Sequence, residues 1–259
     1  MTPKFSLKNI YKSFGHKHVL QGVDLEIAPG ESMVIIGGSG TGKSVLLKCL
    51  LGLMSADTGS ILMDGKEIVK ESLVEQEARL QDIGVVFQGS ALFDSLKVWE
   101  NVAFRLIHAQ HMEHKRAKSI ALEKLAEVGL NKTVAELFPS EISGGMQRRV
   151  ALARAIATQP HVLFFDEPTA GLDPIFSSVI NELIRNCVKN LGATALTITH
   201  DMNSARHVAD RIAMLYEGKI IWVGPAQEID KCDNPYVQQF IKGLPTGPIQ
   251  LETSILQVA

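Results

Sequence analysis

A glycine-rich segment directly after an apolar run constrains the fold of this chain more than any other feature of its sequence. The segment is Gly37-x-x-x-x-Gly42-Lys43-Ser44, and it follows the strand-like run Ser32–Ile36. This is the spacing of a P-loop, in which backbone N–H groups converge on phosphate oxygens where a helix begins. The lysine can reach the β and γ phosphates, and the serine hydroxyl can bind Mg²⁺. The pattern predicts nucleotide binding by the whole loop: Gly37, Gly38, Ser39, Gly40, Thr41, Gly42, Lys43 and Ser44.

A pair of carboxylates ends a second apolar run, Val162–Phe165. A continuous apolar run of this length is typical of a strand buried on both faces of a parallel sheet. Open α/β sheets bind their ligands at the carboxyl ends of such strands. Asp166 is therefore a candidate to hold Mg²⁺, usually through water, and Glu167 is the candidate general base for an attacking water. The alternative is an acidic strand end that is only solvated, but the presence of a P-loop in the same chain favours the functional interpretation.

Charge and composition limit the partners of the chain. A net charge of -2 over 259 residues gives no basic field for nucleic-acid phosphates. No stretch approaches 18 consecutive apolar residues, and Met1–Asn9 has no apolar core of signal-peptide length. The three cysteines lack CxxC spacing, which favours neither a disulfide framework nor a zinc site. We expect a cytoplasmic protein with no membrane span of its own and no nucleic-acid partner.

The order of the predicted elements places a charged helical segment inside an α/β chain. Phe5–Phe14 and Val23–Ala28 are strand-like, and Asp64-Gly65 marks a hairpin turn. Asn101–Phe138 is charged and helix-favouring, and we interpret it as part of an inserted helical lobe. We expect a single domain, with a core at about 1–87 and 160–242, a lobe at about 88–159 and a tail at 243–259.

Four further motifs follow in the order that they have in the ATP-binding-cassette (ABC) ATPases, and the chain resembles that family along almost its whole length. The Q-loop, signature, D-loop and switch histidine are matched by Gln88, by Ser143-Gly144-Gly145-Met146-Gln147, by Ala170-Gly171-Leu172-Asp173 and by His200. The resemblance implies the P-loop NTPase fold of ABC ATPases. That fold is α/β, with a mainly parallel core sheet, an N-terminal antiparallel β subdomain and an inserted α-helical lobe. It also implies an ATPase that uses ATP and Mg²⁺.

The resemblance assigns a role to each matched residue. Gln88 would contact Mg²⁺ and the attacking water, and His200 would hydrogen-bond the γ-phosphate and that water. Asp173 would belong to the nucleotide-binding set, and Phe14 would stack on adenine, with Tyr11 as the alternative. The implied catalytic residues are Glu167, His200 and Gln88, and the implied metal-binding residues are Ser44, Gln88 and Asp166.

The signature motif predicts a second anion site. Ser143, Gly144 and Gly145 offer backbone donors at the start of a long helix. In the family, two subunits meet head to tail, so that each γ-phosphate lies between the P-loop of one subunit and the signature serine of the other. The resemblance thus implies a C₂-symmetric dimer that holds two ATP molecules at its interface.

The signature departs from the usual family pattern Leu-Ser-Gly-Gly-Gln at both outer positions, which are Ile142 and Met146 here. The backbone donors between them are unchanged, so we expect closure on ATP to be retained. Gln147 is a candidate to replace the missing glutamine from the next position.

Three histidines, His108, His111 and His114, have a spacing that can place them on one helix face, as a metal site would need. We favour a solvated or partner-facing helix edge over a metal site.

Three segments are similar to the ATPase subunits of one ABC subgroup, the Mla (maintenance of lipid asymmetry) and MCE-associated lipid transporters. They are Phe87–Leu96 with Asn101–Phe104, Ser143–Met146 with Arg148-Arg149, and Gln239–Gly243 with Gly247-Pro248. The resemblance implies two copies beneath a dimeric permease at the cytoplasmic side of a bacterial inner membrane, with a periplasmic MCE-domain lipid-binding partner. The implied cargo is phospholipid moving between the inner and outer membranes. The alternatives are another small substrate (a solvent, ribonucleotide, amino acid or ion) and a non-transport ABC ATPase.

Two segments are candidate contact surfaces. Leu92, Phe93 and Asp94 follow the Q-loop, where family members receive a short permease helix; packing in the subunit's own core is the alternative. The tail Leu244–Ala259 begins with prolines and glycines and then presents apolar residues. We predict that the tail docks on the dimer mate, with docking on its own domain or disorder as the alternatives.

Overall fold

Two β-sheets organise the structure, a computed structural model that describes residues 2–250. The strands are β1 (Phe5–Phe14), β2 (Lys17–Ile27), β3 (Ser32–Ile36), β4 (Thr58–Met63), β5 (Lys66–Glu67), β6 (Ile83–Val86), β7 (Val162–Asp166), β8 (Thr194–Thr199), β9 (Arg211–Tyr216) and β10 (Lys219–Pro225). One sheet is antiparallel, in the order β2-β1-β4-β5. The other has the order β10-β9-β3-β8-β7-β6, parallel from β9 to β6 and antiparallel at β10. The predicted mainly parallel core sheet and antiparallel N-terminal subdomain are confirmed.

The central strands of the parallel sheet are apolar because both of their faces are covered. β3 is buried along its whole length, and so are the four residues of β7 before Asp166. These strands have nearly the bounds that their apolar runs predict. β2 begins at Lys17, earlier than the predicted Val23. The prediction missed the first part of the strand because its first residues are exposed and show no apolar pattern.

Helices connect the strands and form the inserted lobe. They are α1 (Lys43–Leu51), α2 (Leu73–Gln81), α3 (Val98–His108), α4 (His114–Glu127), α5 (Gly144–Ile156), α6 (Pro174–Leu191), α7 (Met202–Val208) and α8 (Pro235–Lys242). The lobe is built from α3, α4 and α5, and the predicted apolar face of α4 is buried at Ala121 and Leu125. Arg105 on α3 ties the lobe to the core sheet, because its guanidinium donates to the carbonyl oxygens of Leu80 and Ile83, each at 2.6 Å.

The three histidines do not share a helix face, so the predicted common helix edge is wrong. His108 is the last residue of α3 and His114 is the first residue of α4. His111 lies between the helices with a φ of 51°, a left-handed conformation that interrupts helical spacing. The His108 ring packs on the Phe104 ring, with 4.5 Å between centroids.

The chain end folds back on its own domain as far as it is described. The buried side chain of Gln239 on α8 donates to the carbonyl oxygens of Leu244 and Ile249 and accepts from the Ile249 N–H. Residues 251–259 lie outside the described residues, and docking of the tail on the dimer mate stays a prediction. Within residues 2–250, no helix combines the length and apolar character that crossing a bilayer requires.

Candidate nucleotide-binding and catalytic site

The P-loop joins the carboxyl end of β3 to the first turn of α1. Its first glycine is required sterically, because a Cβ atom at Gly37 would overlap the carbonyl oxygen of Leu215 on the neighbouring strand. Gly42 has a φ of 106°, which favours glycine, and a Cβ there would lie 3.0 Å from the Val19 carbonyl oxygen. The loop therefore packs against two strands and opens its N–H groups at the start of the helix.

Lys43 is buried inside the curve of this loop. Its ammonium donates to the carbonyl oxygens of Gly37 at 2.8 Å and Gly38 at 2.9 Å. An ammonium has three N–H donors, so one is left for a phosphate oxygen. Burial lowers the pKa of Lys43, although the nearby charges of Glu167 and Asp166 act in the opposite direction.

Asp166, the last residue of β7, is suited to an oxygen-preferring cation. One of its carboxylate oxygens, Oδ1, is buried and has no hydrogen-bond partner among residues 2–250. Burial, and then the charge of Glu167, raise the pKa of Asp166, while the charges of Lys48 and Lys43 and the Ser44 hydroxyl act in the opposite direction. A buried, unpartnered carboxylate oxygen beside a hydroxyl fits Mg²⁺, which binds through carboxylate, hydroxyl and water oxygens.

Glu167 and His200 are brought together from adjacent parallel strands. His200 Nδ1 lies 2.9 Å from Glu167 Oε1, and the Thr199 hydroxyl donates to Glu167 Oε2 at 3.1 Å. Lys43 Nζ lies 3.9 Å from Oε1 of the same carboxylate. Glu167 has a φ of 46°, a strained backbone conformation for a residue with a side chain, which turns its carboxylate away from the strand path. Thr199 was not predicted as a site residue, because its one sequence signal is its place before the histidine.

Four neighbouring strands deliver the predicted residues to one edge of the sheet. The P-loop follows β3, His200 follows β8, Glu167 follows β7 and Gln88 follows β6, and these strands are adjacent and parallel. The carboxyl ends of parallel strands meet at the same edge, where α/β sheets bind ligands. Gln88 is exposed there, and none of the hydrogen bonds in residues 2–250 engages its side chain.

The signature residues lie elsewhere, at the start of α5 in the lobe. Ser143 caps the helix by accepting a hydrogen bond from the Met146 N–H at 3.3 Å, and Ser143 and Gly144 are exposed. No hydrogen bond within residues 2–250 joins the signature to the P-loop. The Gln147 amide donates to the Pro139 carbonyl oxygen at 2.8 Å, so its N–H group is engaged within the lobe, and its replacement of the usual glutamine stays a prediction.

The remaining predicted contacts are at the surface. The Asp173 carboxylate caps α6 by accepting from the Ile175 and Phe176 N–H groups, so it first of all fixes the start of that helix. Phe14 and Tyr11 are both about half exposed on β1. The Tyr11 ring lies against Gly22, whereas the Phe14 ring has the Lys12 ammonium 5.6 Å from its centroid.

Asp166→Asn is expected to raise the melting temperature of the protein without nucleotide and metal. The raised pKa of Asp166 means that folding favours the neutral carboxyl. The stability that the neutral carboxyl contributes is fully present below the pKa of the unfolded chain and is lost as the pH rises through the raised pKa of the folded chain, whereas the neutral amide of asparagine keeps that stability at pH 7. Thermal unfolding in a chelator at about pH 7 measures the effect, and Mg²⁺-dependent ATP binding should weaken in the same variant. A lower melting temperature with unchanged Mg²⁺ dependence would contradict the assignment.

Comparison with known proteins decides the family. A family model described as ABC transporter matches residues 20–170. The chain belongs to the ABC transporter family. It is 44% identical over 260 residues to Protein TRIGALACTOSYLDIACYLGLYCEROL 3, chloroplastic, of Arabidopsis thaliana, covering 94% of this chain and 74% of that protein. It is 36% identical to the Intermembrane phospholipid transport system ATP-binding protein MlaF of Haemophilus influenzae, covering 95% of this chain and 93% of the relative.

A solved structure agrees with this assignment. A dimeric ATP-binding cassette in a post-hydrolysis state, bound to ADP and phosphate, superimposes with a TM-score of 0.79 at 33% identity, covering 86% of this chain and 98% of that one. The predicted ABC cassette fold is thus confirmed. This chain is the ATP-binding subunit of an ABC transporter and an ATPase that uses ATP with Mg²⁺.

Proposed function

We propose that this ABC subunit powers phospholipid transport, and that Glu167, His200 and Gln88 carry out its ATP hydrolysis. The observation that carries the catalytic part is the pairing of Glu167 with His200 beside the P-loop lysine. The cargo is supported by the Haemophilus relative, named for intermembrane phospholipid transport, which aligns along 93% of its length.

The site residues divide the work of hydrolysis between binding and water activation. The P-loop N–H groups and Lys43 would hold the phosphates, and Ser44, Asp166 and Gln88 would hold Mg²⁺. When bound, the cation neutralises charge on the β and γ phosphates. The Glu167 carboxylate accepts a proton from the attacking water as the P–O bond breaks. His200, held by Glu167 through Nδ1, presents Nε2 to the γ-phosphate.

A second copy of the chain is the proposed partner that completes each site. The signature residues Ser143 and Gly144 are exposed, and no hydrogen bond within residues 2–250 joins them to their own P-loop. Their donors are therefore available to the ATP of another subunit. Beside them, the start of α6 exposes apolar side chains, among which Ile175 is 78% exposed and Phe176 lies against Gly145. Apolar side chains next to an anion site suit a closing interface better than permanent contact with water.

The permease is proposed to contact the surface between β6 and α3. An apolar cleft of about 310 Å³ opens there, with Phe87, Arg105 and Ala109 in its wall. Phe93 is 43% exposed and stacks on Phe104 with 4.5 Å between ring centroids. The two interpretations of this segment, a partner contact and packing in the subunit's own core, therefore apply to different residues. Leu92 packs partly on the core, and Phe93 faces outward. The permease would place the subunit at the cytoplasmic side of the bacterial inner membrane.

Phe93→Ala is expected to reduce capture of the permease at least about tenfold, while the melting temperature of the isolated subunit changes by less than about 2 °C. The aromatic ring is exposed, whereas its backbone N–H and carbonyl are both held by the buried Asn101 side chain and stay in place. The matched control is Leu73→Ala, which removes an exposed apolar side chain on α2. Equal capture by both variants would place the permease contact elsewhere, and loss of folding by Phe93→Ala would favour the core interpretation.

Affinity capture of the full chain from detergent extracts tests the proposed function. The expected companions are an integral-membrane permease and an MCE-domain protein, with phospholipid in the eluate. Capture of a permease for sugars, amino acids or ribonucleotides, without an MCE-domain protein, would overturn the lipid proposal and leave the ATPase assignment intact.

A further inference from the structure

A buried hydroxyl connects three elements behind the catalytic pair. Ser204, on α7, donates to Asp201 Oδ2 at 2.6 Å and accepts from the Asn181 side-chain N–H on α6 at 2.9 Å. The Thr169 hydroxyl lies 3.0 Å from the same oxygen. A serine hydroxyl has one hydrogen, and Ser204 donates it to Asp201. Thr169 is therefore the donor in its pair with Ser204. The Ser204 hydroxyl thus uses all of its hydrogen-bonding capacity, and we call its bonds with Asp201, Asn181 and Thr169 the junction.

This hydroxyl holds both segments that carry the catalytic pair. Thr169 stands two residues after Glu167, and Asp201 directly follows His200. The Asp201 N–H in turn donates to Thr199 Oγ1, whose hydroxyl donates to the Glu167 carboxylate. The hydrogen bonds therefore form a closed path from one catalytic segment through Ser204 to the other.

The hydrogen bond between Asn181 and Ser204 connects the junction to the proposed dimer face. Asn181 lies in α6, the helix that begins after Asp173 and exposes Ile175 and Phe176. Its side chain is buried, and its Oδ1 has no hydrogen-bond partner among residues 2–250, so Ser204 is its one polar contact there. A buried amide with its oxygen unsatisfied is costly, and a role for its bond to Ser204 at the site accounts for that cost.

We infer that Ser204 and Thr169 are positioning residues, which fix the Glu167 carboxylate relative to His200 and link that geometry to α6. This rests on the proposed roles of Glu167 and His200 in hydrolysis. Neither residue touches nucleotide; each acts by holding the two strand ends in one arrangement. Catalysis is sensitive to such placement, since a displacement of about 1 Å can cost about 100-fold in rate.

The test compares the same substitution at two buried threonines. Thr169→Val removes a hydroxyl from the junction, and Thr197→Val removes one from β8 that has no hydrogen-bond partner within residues 2–250. Their residues are 5% and 1% exposed, so the two sites are similarly buried. For Thr169→Val and for Ser204→Ala, we expect kcat of the full chain to fall about tenfold or more, with KM for ATP and equilibrium ATP binding within about twofold. Thr197→Val should match the wild type.

Two further measurements separate positioning from general destabilisation. Hydrogen exchange of the backbone amides at residues 199–208 should accelerate in Thr169→Val and not in Thr197→Val, when both are measured at the same temperature interval below their own melting temperatures. In a Glu167→Gln background, Thr169→Val should cause no further loss, because the junction acts through that carboxylate. Equal kcat in the two valine variants, or a raised KM with unchanged kcat, would overturn the inference. Wild-type turnover by Glu167→Gln alone would instead overturn the proposed catalytic role. Should Ser204→Ala not fold, Thr169→Val decides the matter.

Discussion

Glu167→Gln is expected to slow ATP hydrolysis by about 10²–10⁴-fold while ATP binding persists. The amide keeps the size of the carboxylate and one acceptor oxygen, so the bond from Thr199 can remain. It cannot accept a proton from water at neutral pH, and it also removes the negative charge that holds His200 Nδ1. The P-loop, Ser44 and Asp166 are untouched, so the phosphates and Mg²⁺ should still be held.

Single-turnover hydrolysis and equilibrium ATP binding of the full chain measure the two halves of this prediction. With hydrolysis blocked, ATP stays at the proposed interface, so sedimentation with Mg²⁺ and ATP should show more dimer than for the wild type. Glu182→Gln is a control, because Glu182 is a similarly histidine-paired carboxylate on the surface, bound to His207 at 3.0 Å. A Glu167→Gln protein that hydrolyses ATP near the wild-type rate would show that the base lies elsewhere.

Lys43→Ala has the second-largest expected effect, a loss of ATP affinity of about 10- to 100-fold. A hydrogen bond to a charged group contributes about 1.5–3 kcal/mol, and this ammonium would be removed from the phosphate cradle. The substitution also leaves the Gly37 and Gly38 carbonyl oxygens without their donor. Since burial lowers the pKa of Lys43, wild-type affinity should fall as the pH rises through that lowered value.

Nucleotide titration of Lys43→Ala, Lys43→Met and the exposed-site control Lys70→Ala checks this prediction. Methionine restores the apolar stem without the charge, so both Lys43 variants should lose affinity and the control should not. Unchanged ATP affinity in Lys43→Met would contradict a direct phosphate contact.

The strands that position the site could be predicted from sequence because burial on both faces leaves a continuous apolar run. Ser32–Ile36 and Val162–Phe165 gave nearly the observed bounds of β3 and β7, and their ends located the P-loop and the acidic pair. Since parallel strands end at one edge, the convergence of these groups followed from the order of the motifs.

Other features depended on contacts between distant parts of the chain, which a local pattern does not contain. The spacing of His108, His111 and His114 fits a helix, but the chain turns at His111. Gln147 is adjacent to the signature, yet its amide bonds to the Pro139 carbonyl oxygen. The junction at Ser204 joins residues up to 35 positions apart in the chain, and only the packing of α6 and α7 reveals it.

The most direct test of the account is phospholipid transfer by the reconstituted complex. The captured permease, MCE-domain protein and this subunit are placed in vesicles with a fluorescent phospholipid, and transfer to acceptor vesicles is followed with and without ATP. The account predicts ATP-dependent transfer with the wild-type subunit and a loss of about 100-fold or more with Glu167→Gln. A complex that hydrolyses ATP at the full wild-type rate, moves no phospholipid, and is stimulated by an amino acid or a ribonucleotide would contradict it.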